Sequence, residues 1–226
     1  KVHLVSDEIY AGSVHAGEDA GFVSALEVAA TQDDDGSAGL GVGPYVHFVW
    51  SMSKDYASSG LRVGALYSEN EEIRLPLQKL NDLCSVSSQT QLLVESMLST
   101  ETEAAAGNGA WFEAFLEENQ SRCATRGGEW QSCLEELDIP HLKPTSGLFI
   151  WMDLREFLPE DGTDAERERK LYLDLMQHGL LFTPGASMKN ELPGFFRCVF
   201  TAASQHTSDL GIERLKEFVA KKRSSA

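Results

Sequence analysis

Val46–Trp50 is apolar at four of its five positions, and the run stops abruptly at Ser51. A short segment of this kind, rich in β-branched and aromatic residues, reads as a strand with little exposure. Small polar residues follow it, then Lys54, then Arg62 eight positions later between Gly60 and Gly64. A lysine at the end of a buried strand is unusual, because taking an ammonium out of water is costly. A desolvated lysine amine is also a good nucleophile toward carbonyl groups. A lone Ser-Lys pair describes an ordinary solvated loop lysine. The full frame of Ser51, Ser53, Gly60, Arg62 and Gly64 around Lys54 is what separates this segment from that ordinary case.

The neighbouring segments repeat the strand pattern. Val2–Val5 is a short apolar run that ends at Ser6-Asp7-Glu8-Ile9-Tyr10, and Val63–Tyr67 is another. Between and after them lie stretches with helical spacing. One is Phe22–Ala30; another runs through Ile73, Leu77 and Leu80, with Asn70 or Ser68 placed to cap it. Strands alternating with helices predict an α/β fold with a mainly parallel sheet covered by helices. Open sheets of that type bind ligands beyond the carboxyl ends of their strands. Asp7, Tyr10 and Lys54 all follow strand ends. Taken alone, an Asp followed three residues later by a Tyr equally describes a helix cap with a packed tyrosine. Glu8 reads as a supporting or solvated residue.

The segments DEIY at 7–10 and SMSKDYASSGLRVG at 51–64 resemble those of the fold-type I pyridoxal-phosphate enzymes, aminotransferase class I/II. Within that family they are most similar to 1-aminocyclopropane-1-carboxylate (ACC) synthase and ACC-synthase-like proteins. The resemblance implies that Lys54 carries pyridoxal 5'-phosphate as an internal aldimine. Arg62 would hold the cofactor phosphate with the hydroxyls of Ser51 and Ser53, since a guanidinium fork and hydroxyls match phosphate oxygens. Asp7 would pair with the pyridine nitrogen, favouring the protonated ring that acts as an electron sink. Tyr10 would hydrogen-bond the phenolic oxygen. The segment PGASMKNELPGFFRCVF, 184–200, resembles the part of the family whose arginine grips the substrate α-carboxylate, which points to Arg197. By itself, an arginine alternating with Phe196 and Cys198 also fits an exposed strand residue. One departure stands out: ACC synthases usually carry a glycine and a proline between this lysine and arginine, where this chain has Tyr56-Ala57-Ser58-Ser59.

The rest of the chain reads in the same terms. Thr31–Gly43, with three aspartates and four glycines, predicts a loop. Ser85–Gln91 looks like the family's segment near the dimer interface and leads into Leu92, Leu93, Met97 and Leu98. A lobe boundary falls near Thr100–Gly109, which divides the chain into 1–105, the later part of the cofactor-binding large domain, and 106–226, an α+β small domain with its connecting helix. That helix, either one long helix or a broken one, spans Trp111–Leu137, with Gly127-Gly128 as its expected weak point. Strands follow at Gly147–Leu154 and Phe195–Thr201, and helices at Asp164–Gly179, with Leu171, Leu175 and Met176 on one side, and at Ser208–Ala220.

Charge and cysteine usage exclude several classes. The net charge is 19 − 35 = −16, which argues against general nucleic-acid or anionic-membrane binding. No apolar run is long enough to span a bilayer. Cys84, Cys123, Cys133 and Cys198 form no CxxC pair and no His cluster accompanies them, so no metal site is expected. Scattered thiols suit a reducing, cytoplasmic setting. The six histidines lie in no ligand or triad spacing. The resemblance covers the later half of such an enzyme, so the chain reads as a piece of a longer one. Two functions of different class follow. The first is a transferase or lyase of amino-acid metabolism, a homodimer when whole, acting on an α-amino acid or S-adenosylmethionine. The second is a non-catalytic remnant or interaction module that keeps the fold.

Overall fold

In the computed structural model, which describes residues 2–15, 21–30, 42–98 and 111–225, the apolar run after Tyr45 forms strand β2, Val46–Ser51. It pairs in parallel with β1, Leu4–Asp7, in a register that sets Leu4 beside Val46 and Asp7 beside Val49. On its other side it pairs with β3, Gly64–Ser68, which sets Ser51 beside Gly64 and His47 beside Ser68. This second pairing is antiparallel. The link from β2 to β3 holds only a one-turn helix, α2 (Met52–Asp55), and a short 3-10 turn, and no helix long enough to carry the chain back along the sheet.

Helices α1 (Ala25–Ala30), α3 (Glu71–Asn81) and α4 (Ser88–Leu98) complete the part of the chain before Trp111 among the described residues. Asn70 caps α3 as its position predicts, its Oδ1 accepting from the Glu72 amide at 2.9 Å. Ser87 Oγ accepts from the Thr90 amide at 3.2 Å at the start of α4. Of the predicted acidic loop only Val42 and Gly43 fall in the described residues, and both amides donate to the Glu69 carboxylate. Leu4 and Val5, which point to opposite faces of β1, are 54% and 61% exposed.

The chain divides into two compact units between Ser121 and Arg122. The lobe boundary expected at 105–106 lies outside the described residues. Apart from Met52 and Tyr56, every buried apolar side chain among the described residues belongs to the second unit. The long helix α5, Trp111–Glu136, which begins in the first unit, is the unbroken alternative and runs through Gly127-Gly128. Gly127 is buried, and a Cβ there would meet Pro144 at 3.4 Å and Phe200 at 3.5 Å, ordinary contact distances.

Strands β4 (Phe149–Asp153), β5 (Thr183–Pro184) and β6 (Phe195–Val199) form a separate antiparallel sheet in the order β4-β6-β5. Alternate residues Ile150, Met152, Phe196 and Cys198 face inward onto Trp130 and Leu134 of α5, Leu171 and Leu175 of α6 (Asp164–Gln177), and Leu215, Phe218 and Val219 of α7 (Gln205–Ser224). Met176 is not on that buried face. One residue beyond Leu175 turns about 100° around the helix, and Met176 is 44% exposed. Trp130 meets its indole requirement inside the core by donating to Ser208 Oγ at 3.0 Å. Among the described residues no helix is long and apolar enough to cross a membrane.

Candidate functional site

Because β1 and β2 run in parallel, their carboxyl ends share one end of the sheet, and the antiparallel β3 begins there. That topology gathers six of the seven residues singled out in the sequence. Asp7 closes β1, and Tyr10 sits in the turn after it. Ser51 closes β2, while Ser53 and Lys54 lie on α2. Arg62 immediately precedes β3.

The local structure follows from residue type. Ser51 is extended and caps α2, its Oγ accepting from the Ser53 amide at 3.2 Å, which leaves its own hydroxyl hydrogen available to donate. The loop then closes on itself: the Ser58 amide donates to the Met52 carbonyl at 3.1 Å, and the Met52 amide donates to the Val63 carbonyl at 3.2 Å. Arg62 adopts the left-handed conformation, φ 57°, and its Nη1 donates to the Ser59 carbonyl at 2.9 Å. Gly64 is required by close approach, since a Cβ there would lie 3.1 Å from the Trp50 carbonyl oxygen. Lys54 is half-buried, and among the described residues its amine has no hydrogen-bond or ion-pair partner.

On the β1 side, Asp7 Oδ1 accepts from the Ile9 amide at 3.3 Å, and the Tyr10 carbonyl accepts from the Ser13 amide at 2.9 Å. Glu8 is buried, not solvated. Its carboxylate accepts from Ser6 Oγ at 3.0 Å and from the Ala25 amide at 2.8 Å, which fixes the start of α1. Tyr56, at the departure noted in the sequence, is also buried. It stacks on Phe115 with ring centroids 5.7 Å apart and meets Trp50 edge-on at 5.9 Å. Burial first, and then the Asp55 charge, pushes its hydroxyl above the usual tyrosine range.

Asp55 is the residue that sequence reasoning passed over. It is 1% exposed and accepts hydrogen bonds from the Gly12 amide, Ser13 Oγ and Trp50 Nε1. Its one legible signal was an acid lodged between the aromatic Trp50 and Tyr56 next to Lys54.

Arg197, the seventh residue, belongs to the second unit. It stands opposite Trp151 in the β4–β6 ladder and opposite Thr183 in the β5–β6 ladder, on the face away from Phe196 and Cys198. It is half-buried, not an exposed strand residue. Its guanidinium carbon lies 5.1 Å from the centre of the Phe149 ring, and its Nε is buried without a hydrogen-bond partner. A buried, unsatisfied guanidinium donor is suited to an anionic acceptor.

The first unit thus offers an amine, two hydroxyls, a guanidinium with donors to spare, and a carboxylate at one end of a sheet. That set fits an aldehyde-bearing aromatic phosphate: donors for the phosphate, an amine for the carbonyl carbon, an acid for a ring nitrogen. Among the described residues no group of three or more His, Cys, Asp or Glu could hold a metal ion.

A family model described as aminotransferase class I and II matches residues 1–215. ACC synthase 1 of Oryza sativa subsp. indica is 37% identical over 220 residues, which cover 96% of this chain and 42% of that protein. ACC synthase 9 of Arabidopsis thaliana is 38% identical over 220 residues, covering 96% of this chain and 43% of that protein. The chain therefore spans less than half the length of these relatives. Among solved structures, a double mutant of Thermus thermophilus aspartate aminotransferase superposes with a TM-score of 0.74 at 20% identity, covering 96% of this chain and 48% of that one. The α-aminoadipate aminotransferase LysN of Thermus thermophilus, complexed with N-(5'-phosphopyridoxyl)-L-leucine, gives a TM-score of 0.69 at 18% identity, covering 99% and 51%. At these identities the structural likeness shows the fold, that of the fold-type I enzymes.

Proposed function

Because the chain belongs to the aminotransferase class I and II family, whose cofactor is pyridoxal 5'-phosphate, we infer that its Lys54–Arg62 segment holds that cofactor. The whole enzyme would be ACC synthase-like and act on an α-amino acid or S-adenosylmethionine. The observation that carries this reading is the convergence of Asp7, Tyr10, Ser51, Ser53, Lys54 and Arg62 at one end of the β1-β2-β3 sheet.

Each residue then has a task. The cofactor, when bound, supplies an electron sink for charge released at the substrate α-carbon. The Lys54 amine would hold it and would move the substrate α-proton as general base. Arg62 and the hydroxyls of Ser51 and Ser53 hold the phosphate. The Asp7 carboxylate would face the ring nitrogen and favour its protonated form, and the Tyr10 hydroxyl would donate to the phenolic oxygen. Arg197 grips the substrate carboxylate with its planar fork and so orients the Cα–H bond. In the whole protein, residues 1–105 would belong to the large domain and 106–226 to the small one, in a cytoplasmic homodimer.

The identities to ACC synthases favour elimination from S-adenosylmethionine. The Tyr56–Ser59 departure favours the second reading, transamination of an amino acid. A third reading, a non-catalytic module that keeps the fold, predicts neither product. Product analysis on the longest polypeptide that the gene encodes separates them. We expect ACC and methylthioadenosine from S-adenosylmethionine. An amino acid formed from a keto acid would establish transamination instead, and neither product would overturn the enzymatic reading.

A further inference from the structure

Asp55 follows Lys54 directly, yet none of the tasks above uses it. Its carboxylate receives three directed hydrogen bonds: Oδ2 from the Gly12 amide at 2.9 Å and from Trp50 Nε1 at 2.7 Å, and Oδ1 from Ser13 Oγ at 2.7 Å. Gly12 and Ser13 belong to the short 3-10 turn Ala11–Ser13, which follows Tyr10 and is tied to it by the Ser13 amide. Two side chains of α5 brace the same knot. Gln120 Nε2 donates to the Gly12 carbonyl at 3.0 Å, and Asn119 Nδ2 donates to the Asp55 carbonyl at 3.4 Å. Space there is fully used: a Cβ on Gly12 would lie 2.9 Å from both Cγ and Oδ2 of Asp55.

Among the described residues no cation pairs with the Asp55 side chain. Burying an acid with only neutral donors around it is costly compared with an apolar filler, so what it contributes lies in the geometry of its bonds. Those bonds join two pieces of chain more than 40 residues apart in sequence, the turn after β1 and the turn after β2. We propose that Asp55 is a positioning residue that locks the Tyr10 turn to the Lys54 turn, so that neither moves without the other. The proposal rests on the reading that Tyr10 and Lys54 serve one site.

Chemistry supplies a discriminating pair of variants. In Asp55→Asn, the amide oxygen can take the place of Oδ2 and accept from Gly12 and Trp50, while its NH2 donates to a reoriented Ser13 hydroxyl. The lock survives and the charge is gone. In Asp55→Ala, the Gly12 amide and Trp50 Nε1 lose their acceptor, at about 1–3 kcal/mol per unsatisfied donor, or roughly fivefold to 150-fold in an equilibrium constant. Gly12→Ala pushes the same lock apart from the other side.

The test uses amide hydrogen exchange without cofactor, followed by titration of the same samples with pyridoxal 5'-phosphate, read by visible absorbance. In Asp55→Ala, exchange across residues 10–13 and 52–58 should quicken together, by roughly tenfold or more, and affinity should fall by a similar factor. Asp55→Asn should restore both, and Gly12→Ala should resemble Asp55→Ala. Unchanged exchange in Asp55→Ala overturns the proposal, as does a folded Asp55→Asn that is as impaired as Asp55→Ala, because charge and not positioning would then matter. If Asp55→Ala does not fold, Asp55→Asn and Gly12→Ala decide. A wild-type chain that takes up no cofactor overturns the proposed function, while the exchange data still accept or reject the lock.

Discussion

Ala57 is held in a backbone conformation that its own side chain disfavours. It lies three residues after Lys54 with φ 50°, in the left-handed region, where a Cβ crowds the following carbonyl. That clash costs an L-residue about 1–2 kcal/mol, and glycine escapes it. Glycine also gives the unfolded chain more freedom, which returns about 0.5–1 kcal/mol of the gain. Ala57 is exposed and its methyl packs in no core, so no further term enters. Its amide donates to the Lys54 carbonyl at 3.0 Å, a bond that glycine keeps. Ala57→Gly should therefore stabilise the first unit by about 0.5–1 kcal/mol, or roughly 1–4 °C in Tm for a chain of this length. Urea and thermal unfolding should be followed by a probe local to that unit, such as hydrogen exchange over residues 52–64. Unchanged or lowered stability would refute the reasoning, because it would mean that φ at this position carries no strain.

Three further predictions concern the cysteine thiols and α5. Burial pushes the thiols of Cys123 and Cys133 up and that of Cys198 to about 12, so in the folded chain a thiol reagent at neutral pH should modify exposed Cys84 and spare the other three. The folded pKa of Cys198 exceeds the unfolded value of about 8.5, so its contribution is fully present below that value and lost as pH rises toward about 12. Denaturant midpoints should fall across that alkaline window, by up to about 1.4 kcal/mol per pH unit for this one thiol. Gly128→Ala should stabilise by about 1 kcal/mol, the usual helix preference, since a Cβ there meets nothing within 4 Å; chemical denaturation of the single variant checks it.

What the sequence revealed was whatever is written locally. Val46–Trp50 and the Asn70 cap are short-range signals, and each has its counterpart in the structure. The antiparallel direction of β3 was not legible as a pattern, although the link between Ser51 and Gly64 carries only a one-turn helix. Asp55 escaped notice because its partners come from residues 12, 13 and 50, and no local pattern joins them. Gly127-Gly128 left a long or a broken helix open for a similar reason: the Pro144 and Phe200 side chains beside Gly127 are distant in sequence. Glu8 read as either a supporting or a solvated residue, and the amide of Ala25, distant in sequence, is what decides for the first.

The central claim is that Lys54 is the residue that bonds the cofactor. Incubating the purified chain with pyridoxal 5'-phosphate, reducing with borohydride and mapping the peptides by mass spectrometry tests it most directly. A phosphopyridoxyl mass increment is expected on Lys54 and should be absent from Lys54→Ala. An increment spread evenly over the surface lysines, or none on Lys54, would contradict it.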